Sequence, residues 1–246
     1  MSYTPQVLVA GGQYNITPRL VHMVGPTATV AQGNLDTLTS GTGVALAASP
    51  ANALAANRRY GFATTTGANN VAGMRNTEAM VIIGSASPMG GFKMTWRFGL
   101  DQGGAGARAF VGFHTSLSAF PFTTTDPSGV AINMIGMGLD AADGNWQIMH
   151  NDGSGTPATK VDLTADFARN ITSMFELVLQ CAPSATALVQ YTVRDLSLGY
   201  EKTGNLITDL PAGTVVLSPV MEINAAATGV IQRICHIHRQ IEAGPF

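Results

Sequence analysis

The sequence predicts an all-β protein built as an antiparallel sandwich or jelly roll, and three observations carry that expectation. Apolar and polar residues alternate with period two from about residue 79 onward. The segments between the alternating runs are rich in Gly, Pro, Asp, Asn, Ser and Thr, the residues that make tight turns. No helical patterns alternate with the strand candidates, so a parallel, doubly wound sheet is not expected.

Taken in order, residues 1–40 hold short apolar pieces, VLVA, YNIT and LVHMV, broken by Gly, Pro and Thr. They read as an N-terminal arm or a small β element, with a soft boundary before a sandwich domain over residues 41–246. ALAASPANALAANR (45–58) and DFARNITS (166–173) are the two places with room for a short helical turn. FKMTWRFGL is the clearest strand: Phe92, Met94, Trp96, Phe98 and Leu100 share one face, and Lys93, Thr95 and Arg97 the other. ARAFVGFH and AINMIGMGL follow, and then NWQIMH, which runs into the turn NDGSG. That stretch places Trp146, Ile148 and His150 on one face, and its glycines supply the positive φ that a hairpin needs. MFELVLQC places Phe175, Leu177, Leu179 and Cys181 on one face, and ALVQYTVRDL, TVVLSPVMEI and GVIQRICHIHRQI complete the series. The joints DQGGAGA, TTDPSG, DAADG, APSAT and DLPAGT are all rich in turn formers.

Composition narrows the function. Only 11% of residues are charged, and the net charge is −2. With no basic block, a nucleic-acid partner is not expected. No apolar run reaches the roughly 18 residues of a membrane span, so membrane insertion is not expected either. MSYTPQVLVAGGQYN lacks the basic segment and long apolar core of a secretory signal, so a chain made in the cytoplasm would leave by another route, such as lysis. So few charges suit a surface partly covered by other protein, as in an assembly component. Cys181 and Cys235 lie in strand-like runs, where buried free thiols are expected.

The chain carries no HExxH, no GxSxG and no phosphate-binding loop, and its carboxylates are scattered, so no enzyme is expected. Two constellations remain. Asp140, Asp143, Asn145, Asn151 and Asp152 are oxygen donors on neighbouring turns, and they would suit calcium except that the EF-hand order is absent. Trp146 beside Asp143, Asn145, Asn151 and Asp152 also fits a sugar site, with a ring face to stack on and polar groups for hydroxyls. The competing reading makes Trp146 a core residue and the Asp and Asn residues turn formers. Tyr60, Phe120, Phe122 and Tyr200 are further aromatics near loops. His236 and His238 sit two residues apart, so an unbroken strand points both to one face about 7 Å apart. In a trimer with this strand near the axis, three such pairs would offer six nitrogens to one metal. The plainer alternative is a pair of exposed or interface histidines.

GLDAADGNWQIMHNDGSGTPATKVDL (138–163), DFARNITSMFELVLQCAPSATALVQYTVRDL, DLPAGTVVLSPVMEINAA and the closing GVIQRICHIHRQIEA together resemble the C-terminal β-sandwich of bacteriophage and prophage tail-fibre or tailspike-type proteins. The likeness covers about residues 75–246. It implies a lectin-like (concanavalin-like) jelly roll, a homotrimer, and a place in the virion beside other virion proteins. The implied function is a short tail fibre or receptor-binding component contacting host cell-surface polysaccharide, made in the host cytoplasm and released by lysis. A capsid or tail decoration protein without a receptor is the second reading, and a polysaccharide-degrading enzyme the third. Residues 1–40 would be the attachment arm. The His236–His238 pair is similar to the metal-binding HxH of some trimeric phage fibres. No cofactor is otherwise implied.

Overall fold

The computed structural model describes residues 20–24, 37–84, 90–117, 119–182, 187–227 and 229–243. The strands, in chain order, are β1 (Leu20–Val24), β2 (Thr37–Ser40), β3 (Thr42–Leu46), β4 (Arg59–Ala63), β5 (Val71–Asn76), β6 (Phe92–Gln102), β7 (Arg108–His114) and β8 (Asn133–Leu139). They continue with β9 (Gln147–Asp152), β10 (Thr159–Asp162), β11 (Phe175–Cys181), β12 (Val189–Asp195), β13 (Tyr200–Leu206), β14 (Ser218–Asn224) and β15 (Arg233–Ala243). One sheet has seven strands in the order β10-β9-β8-β7-β14-β5-β2. The other has eight, in the order β13-β12-β11-β6-β15-β4-β3, with β1 also pairing β15. All strand pairs are antiparallel, and the two sheets face each other as the jelly-roll sandwich that the alternation predicts.

The period-two reading of FKMTWRFGL holds residue by residue. Phe92, Met94, Trp96, Phe98 and Leu100 are fully buried, while Lys93 and Thr95 are half-buried and Arg97 is exposed. Phe175, Leu177, Leu179 and Cys181 from β11 join them, and Val111, Phe113, Ile135, Met137, Ile148, Met221 and Ile223 meet them from the seven-stranded sheet. Each such side chain withdrawn from water contributes about 1.5–3 kcal/mol, which makes this layer the main source of stability. Cys181 and Cys235 are buried and free, as expected.

The N-terminal segment, expected as an arm or a small β element, is described at two short strands. β1 pairs the last strand, β15, and β2 pairs β5, so this part of residues 1–40 adds a strand to each sheet rather than standing apart from the sandwich. Short apolar β-branched pieces have no core of their own, and the open sheet edges satisfy their backbone groups. Residues 1–19 and 25–36 of the expected arm, and most of the APSAT turn, lie outside the described residues. The helical-turn expectations hold as turns: Ala56 N–H bonds Asn52 O at 2.9 Å, and a 3-10 helix spans Ala165–Phe167. A second 3-10 helix, Pro127–Gly129, lies inside the predicted TTDPSG turn.

β15 pairs β6 along its length, β4 through Arg233–His236 and β1 through Arg239–Ala243. Its register against β6 slips between His236 and His238, where Ile237 forms a β-bulge. A bulge inserts one residue and reverses the facing of everything after it. Before it, His236 pairs Phe98 on the core face; after it, His238 pairs Arg97 on the outer face.

Candidate ligand-binding surfaces

The loop cluster suggested by the sequence comes apart in three dimensions. Trp146 is fully buried, with its ring 5.4 Å from that of Phe98 and 5.7 Å from that of Phe175. It offers no face to a sugar, so the core reading replaces the stacking one: the residue opens a strand whose inner face points between the sheets. Asp143 and Asn145 lie before β9, and Asn151 and Asp152 at its far end. Six residues at about 3.3 Å each put the two groups roughly 20 Å apart, too far to share one sugar or one ion.

Each group has its own structural task. Lys160 places its ammonium 3.0 Å from Asp140 and 2.7 Å from both oxygens of Asp143. Burial pulls the Lys160 pKa down, but the hydrogen bonds to Asp143 and Asp140 outweigh it and hold it above its ordinary value. The cation that these carboxylates hold is therefore the chain's own lysine. Asn151 binds Gly155 O at 2.8 Å and the Gly153 N–H at 2.6 Å, closing the turn that Gly153 makes at φ 80°. Asp152 accepts from the Ser154 N–H at 2.8 Å. Among the described residues no three His, Cys, Asp or Glu side chains converge, and nothing supports calcium at these turns.

The histidine pair is corrected by the bulge. His236 points into the core, 2% exposed, and its Nδ1 accepts the Trp96 indole N–H at 3.0 Å. His238 is half-buried on the opposite face, near Arg97 and Glu176. Two histidines on opposite faces of a sheet cannot chelate one metal, on a trimer axis or elsewhere. Of the remaining aromatics, Phe120 and Phe122 are buried, Tyr60 is half-buried, and Tyr200 is 44% exposed at the start of β13.

An open surface does exist, on the outer face of the eight-stranded sheet. The registers of β11, β12 and β13 align three cross-strand rows there. One row is Gln180, Gln190 and Asn205, and the next is Val178, Thr192 and Thr203; together they line a groove of about 270 Å³. Gln190, Thr203 and Asn205 are exposed and Gln180 and Thr192 half-buried. The third row, Glu176, Arg194 and Glu201, forms an ionic rim: Arg194 reaches Glu176 at 2.7 Å and Glu201 at 2.6 Å, and Arg97 reaches Glu176 at 2.7 Å. Burial alone would raise the Glu176 pKa, but the hydrogen bonds from Arg97 and Arg194 outweigh it and hold the carboxyl below its ordinary range. Both carboxylates pair with Arg194.

Amides and hydroxyls each donate and accept, and five of them in a shallow open groove match a ligand that itself carries many hydroxyls. Sequence reading missed this surface, although each residue falls on the polar phase of its strand. The signal was present in the alternation, but the strand registers were needed to bring the rows together.

No protein-family model matches the chain, and no curated protein matches it in sequence. Solved structures do match in fold. Peanut lectin bound to a 9mer peptide superposes with a TM-score of 0.64 at 12% identity, covering 92% of this chain and 97% of the lectin. Basic winged bean lectin with Tn-antigen gives 0.58 at 11% identity, covering 93% and 100%. A protein of unknown function from Shewanella oneidensis MR-1 gives 0.61 at 12% identity, covering 99% and 97%. At such identities the likeness is one of fold: this chain is a lectin-like jelly-roll β-sandwich.

Proposed function

We propose that this protein is a glycan-binding module that binds without turnover, and that saccharide lies in the groove over β11, β12 and β13. The observation that carries the reading is the groove itself: Gln180, Gln190, Thr192, Thr203 and Asn205 present a neutral, open, hydrogen-bonding surface beside an ion-paired rim. The likeness in fold to lectins supports it. The finer reading is a phage virion component, a short tail fibre or adhesin trimer contacting host-surface polysaccharide, and it rests on the sequence resemblance described above. Shallow sites of this kind are weak one at a time and gain strength from copy number, which suits a trimer.

A glycan array probed with the full chain tests the binding, with Thr192→Arg as the control that fills the groove from its middle row. Binding by the wild type that falls at least tenfold in the variant, with unchanged melting temperature, supports the site. No saccharide bound above background removes the reading and leaves the decoration or connector role. Light scattering on the eluting protein tests the assembly: a mass near three times 25.6 kDa is expected, and a monomer overturns the trimer.

A further inference from the structure

The outer face of the seven-stranded sheet is covered rather than open. Phe120, Phe122 and Ala158 roof it above Phe110, Met134, Met149 and Val220, with Val130 and Ile132 packed alongside. Under this apolar roof lie three ionisable side chains, Arg75 from β5, His114 from β7 and Glu222 from β14, each 1% exposed or less. Arg75 pairs Val220, with Glu222 one step along the same face, and His114 lies across β14 from them. The Arg75 guanidinium lies 5.8 Å from the centre of the Phe120 ring, and the His114 ring 6.1 Å from that of Phe122.

Most of their polar atoms have no partners. Arg75 Nε and Nη1, His114 Nε2 and both Glu222 oxygens are buried without a hydrogen bond. The Phe122 backbone lies toward the Glu222 carboxyl without completing a bond to it. Leaving such groups bare costs about 1–3 kcal/mol each, and more for charged ones. The Arg75 charge is felt by both Glu222 and His114, so these five atoms are grouped around one guanidinium and call for an occupant.

The unpartnered atoms, and the protons they carry, narrow the chemistry of the occupant. His114 Nδ1 accepts the Ser116 N–H at 3.1 Å, so the neutral ring carries its proton on Nε2 and points a donor into the space. Burial pushes Glu222 up to about 8 and His114 down to about 3, so both are neutral near pH 7. Arg75 stays cationic. Arg108, on the same face of β7, pairs with Asp126 at 2.6 Å. Together the three side chains therefore offer two guanidinium N–H groups, an imidazole N–H and a carboxyl O–H, with one net positive charge. Its complement is a planar anion rich in acceptors, which a guanidinium grips with two parallel hydrogen bonds.

The geometry points to a carboxylate-binding site formed by Arg75, His114 and Glu222 under Phe120, filled by the carboxylate of an acidic sugar. The acidic sugar rests on the glycan-binding reading, whereas the carboxylate rests on these unpartnered groups alone. Phe120, the outermost of the roof rings at 9% exposure, is the side chain a ligand must displace.

The test titrates the full chain with glucuronate, glucose and acetate by calorimetry, using wild type, Arg75→Met, Glu222→Gln, Phe120→Ala and the groove variant Thr192→Arg. Glucuronate binding is expected to fall about tenfold to a hundredfold in Arg75→Met. It is expected to survive Thr192→Arg and to tighten in Phe120→Ala. In the wild type it should weaken as pH rises through about 8, where Glu222 ionises and repels the anion, and Glu222→Gln should abolish that weakening. Acetate bound as tightly as glucuronate, with the same dependence on Arg75, keeps the carboxylate site and overturns the sugar. No Arg75-dependent binding of either anion, in wild type and in Phe120→Ala alike, overturns the site and leaves buried water as the occupant. Glucose or array binding lost only through Thr192→Arg then still upholds the groove, so the two readings fail separately.

Discussion

Replacing Trp146 separates a core residue from a sugar platform, and the structure fixes how much each change should cost. The indole is fully buried between Phe98 and Phe175, so Trp146→Ala opens a large cavity in the central layer and is expected to cost about 3–5 kcal/mol. Trp146→Phe behaves differently. It removes roughly 40 Å³, which at about 24 cal/mol per Å³ costs about 1 kcal/mol. It also removes the indole N–H, which is buried without a partner, and so relieves a penalty of about 1–3 kcal/mol. The two effects nearly cancel, and the phenylalanine variant is expected within about 1 kcal/mol of wild type. Urea unfolding followed by circular dichroism, compared through the midpoints, measures both, and the array measures binding. A Trp146→Ala protein with the wild-type midpoint would refute the core assignment, as would a Trp146→Phe protein of normal stability that has lost saccharide binding.

The buried ionisable groups give stability a definite pH profile. Burial lowers His114 to about 3, so the folded state holds fewer protons than the unfolded chain between about 3 and 6.5, and stability rises with pH there. Burial raises Glu222 from 4.5 to about 8, so the folded state holds more protons in that window and stability falls across it. The slopes oppose each other between about 4.5 and 6.5, above which Glu222 acts alone; melting temperature should fall from there to about 8, and Glu222→Gln should flatten the fall. His236→Phe should cost about 1–3 kcal/mol, because the buried Trp96 N–H loses its acceptor, while His238→Ala should stay within about 0.5 kcal/mol. Equal effects on chemical denaturation would contradict the bulge. Lys160→Ala should cost about 1–2 kcal/mol, discounted for partial exposure, since Asp140 and Asp143 lose their shared cation. Calcium or a chelator should leave the wild-type melting temperature unchanged, and a chelator-dependent shift would restore a metal at these turns.

The sandwich was legible because its two faces obey one rule, and strands such as FKMTWRFGL state it without exception. What the alternation cannot show is a break in its own phase. CHIHR reads as unbroken alternation, yet the bulge at Ile237 turns His236 inward and His238 outward, and the metal site suggested by their spacing dissolves. The proximity of Asp143, Asn145, Asn151 and Asp152 in sequence misled for the opposite reason: an extended strand separates neighbours faster than any other structure. The groove and the buried Arg75, His114 and Glu222 stayed hidden because each is assembled from three strands whose registers no local pattern specifies. For Arg75, His114 and Glu222 there was a further obstacle. They occupy the polar phase of their strands, and only the roof carrying Phe120 and Phe122 removes them from water.

The two strands that come last in the described chain occupy interior slots, β14 between β7 and β5 and β15 between β6 and β4. During synthesis, therefore, the strands that flank β14 and β15 stay unjoined until these two strands have left the ribosome. The inner edges of β5, β7, β4 and β6 wait through that interval with their backbone groups unpaired. Closure is then a late event that locks both layers almost together, and it is dominated by contacts distant in sequence, which makes for slow folding. A nascent chain arrested before Ser218 should be open to proteases and to chaperones that bind exposed strands, whereas one whose β15 has emerged should be protected across both sheets.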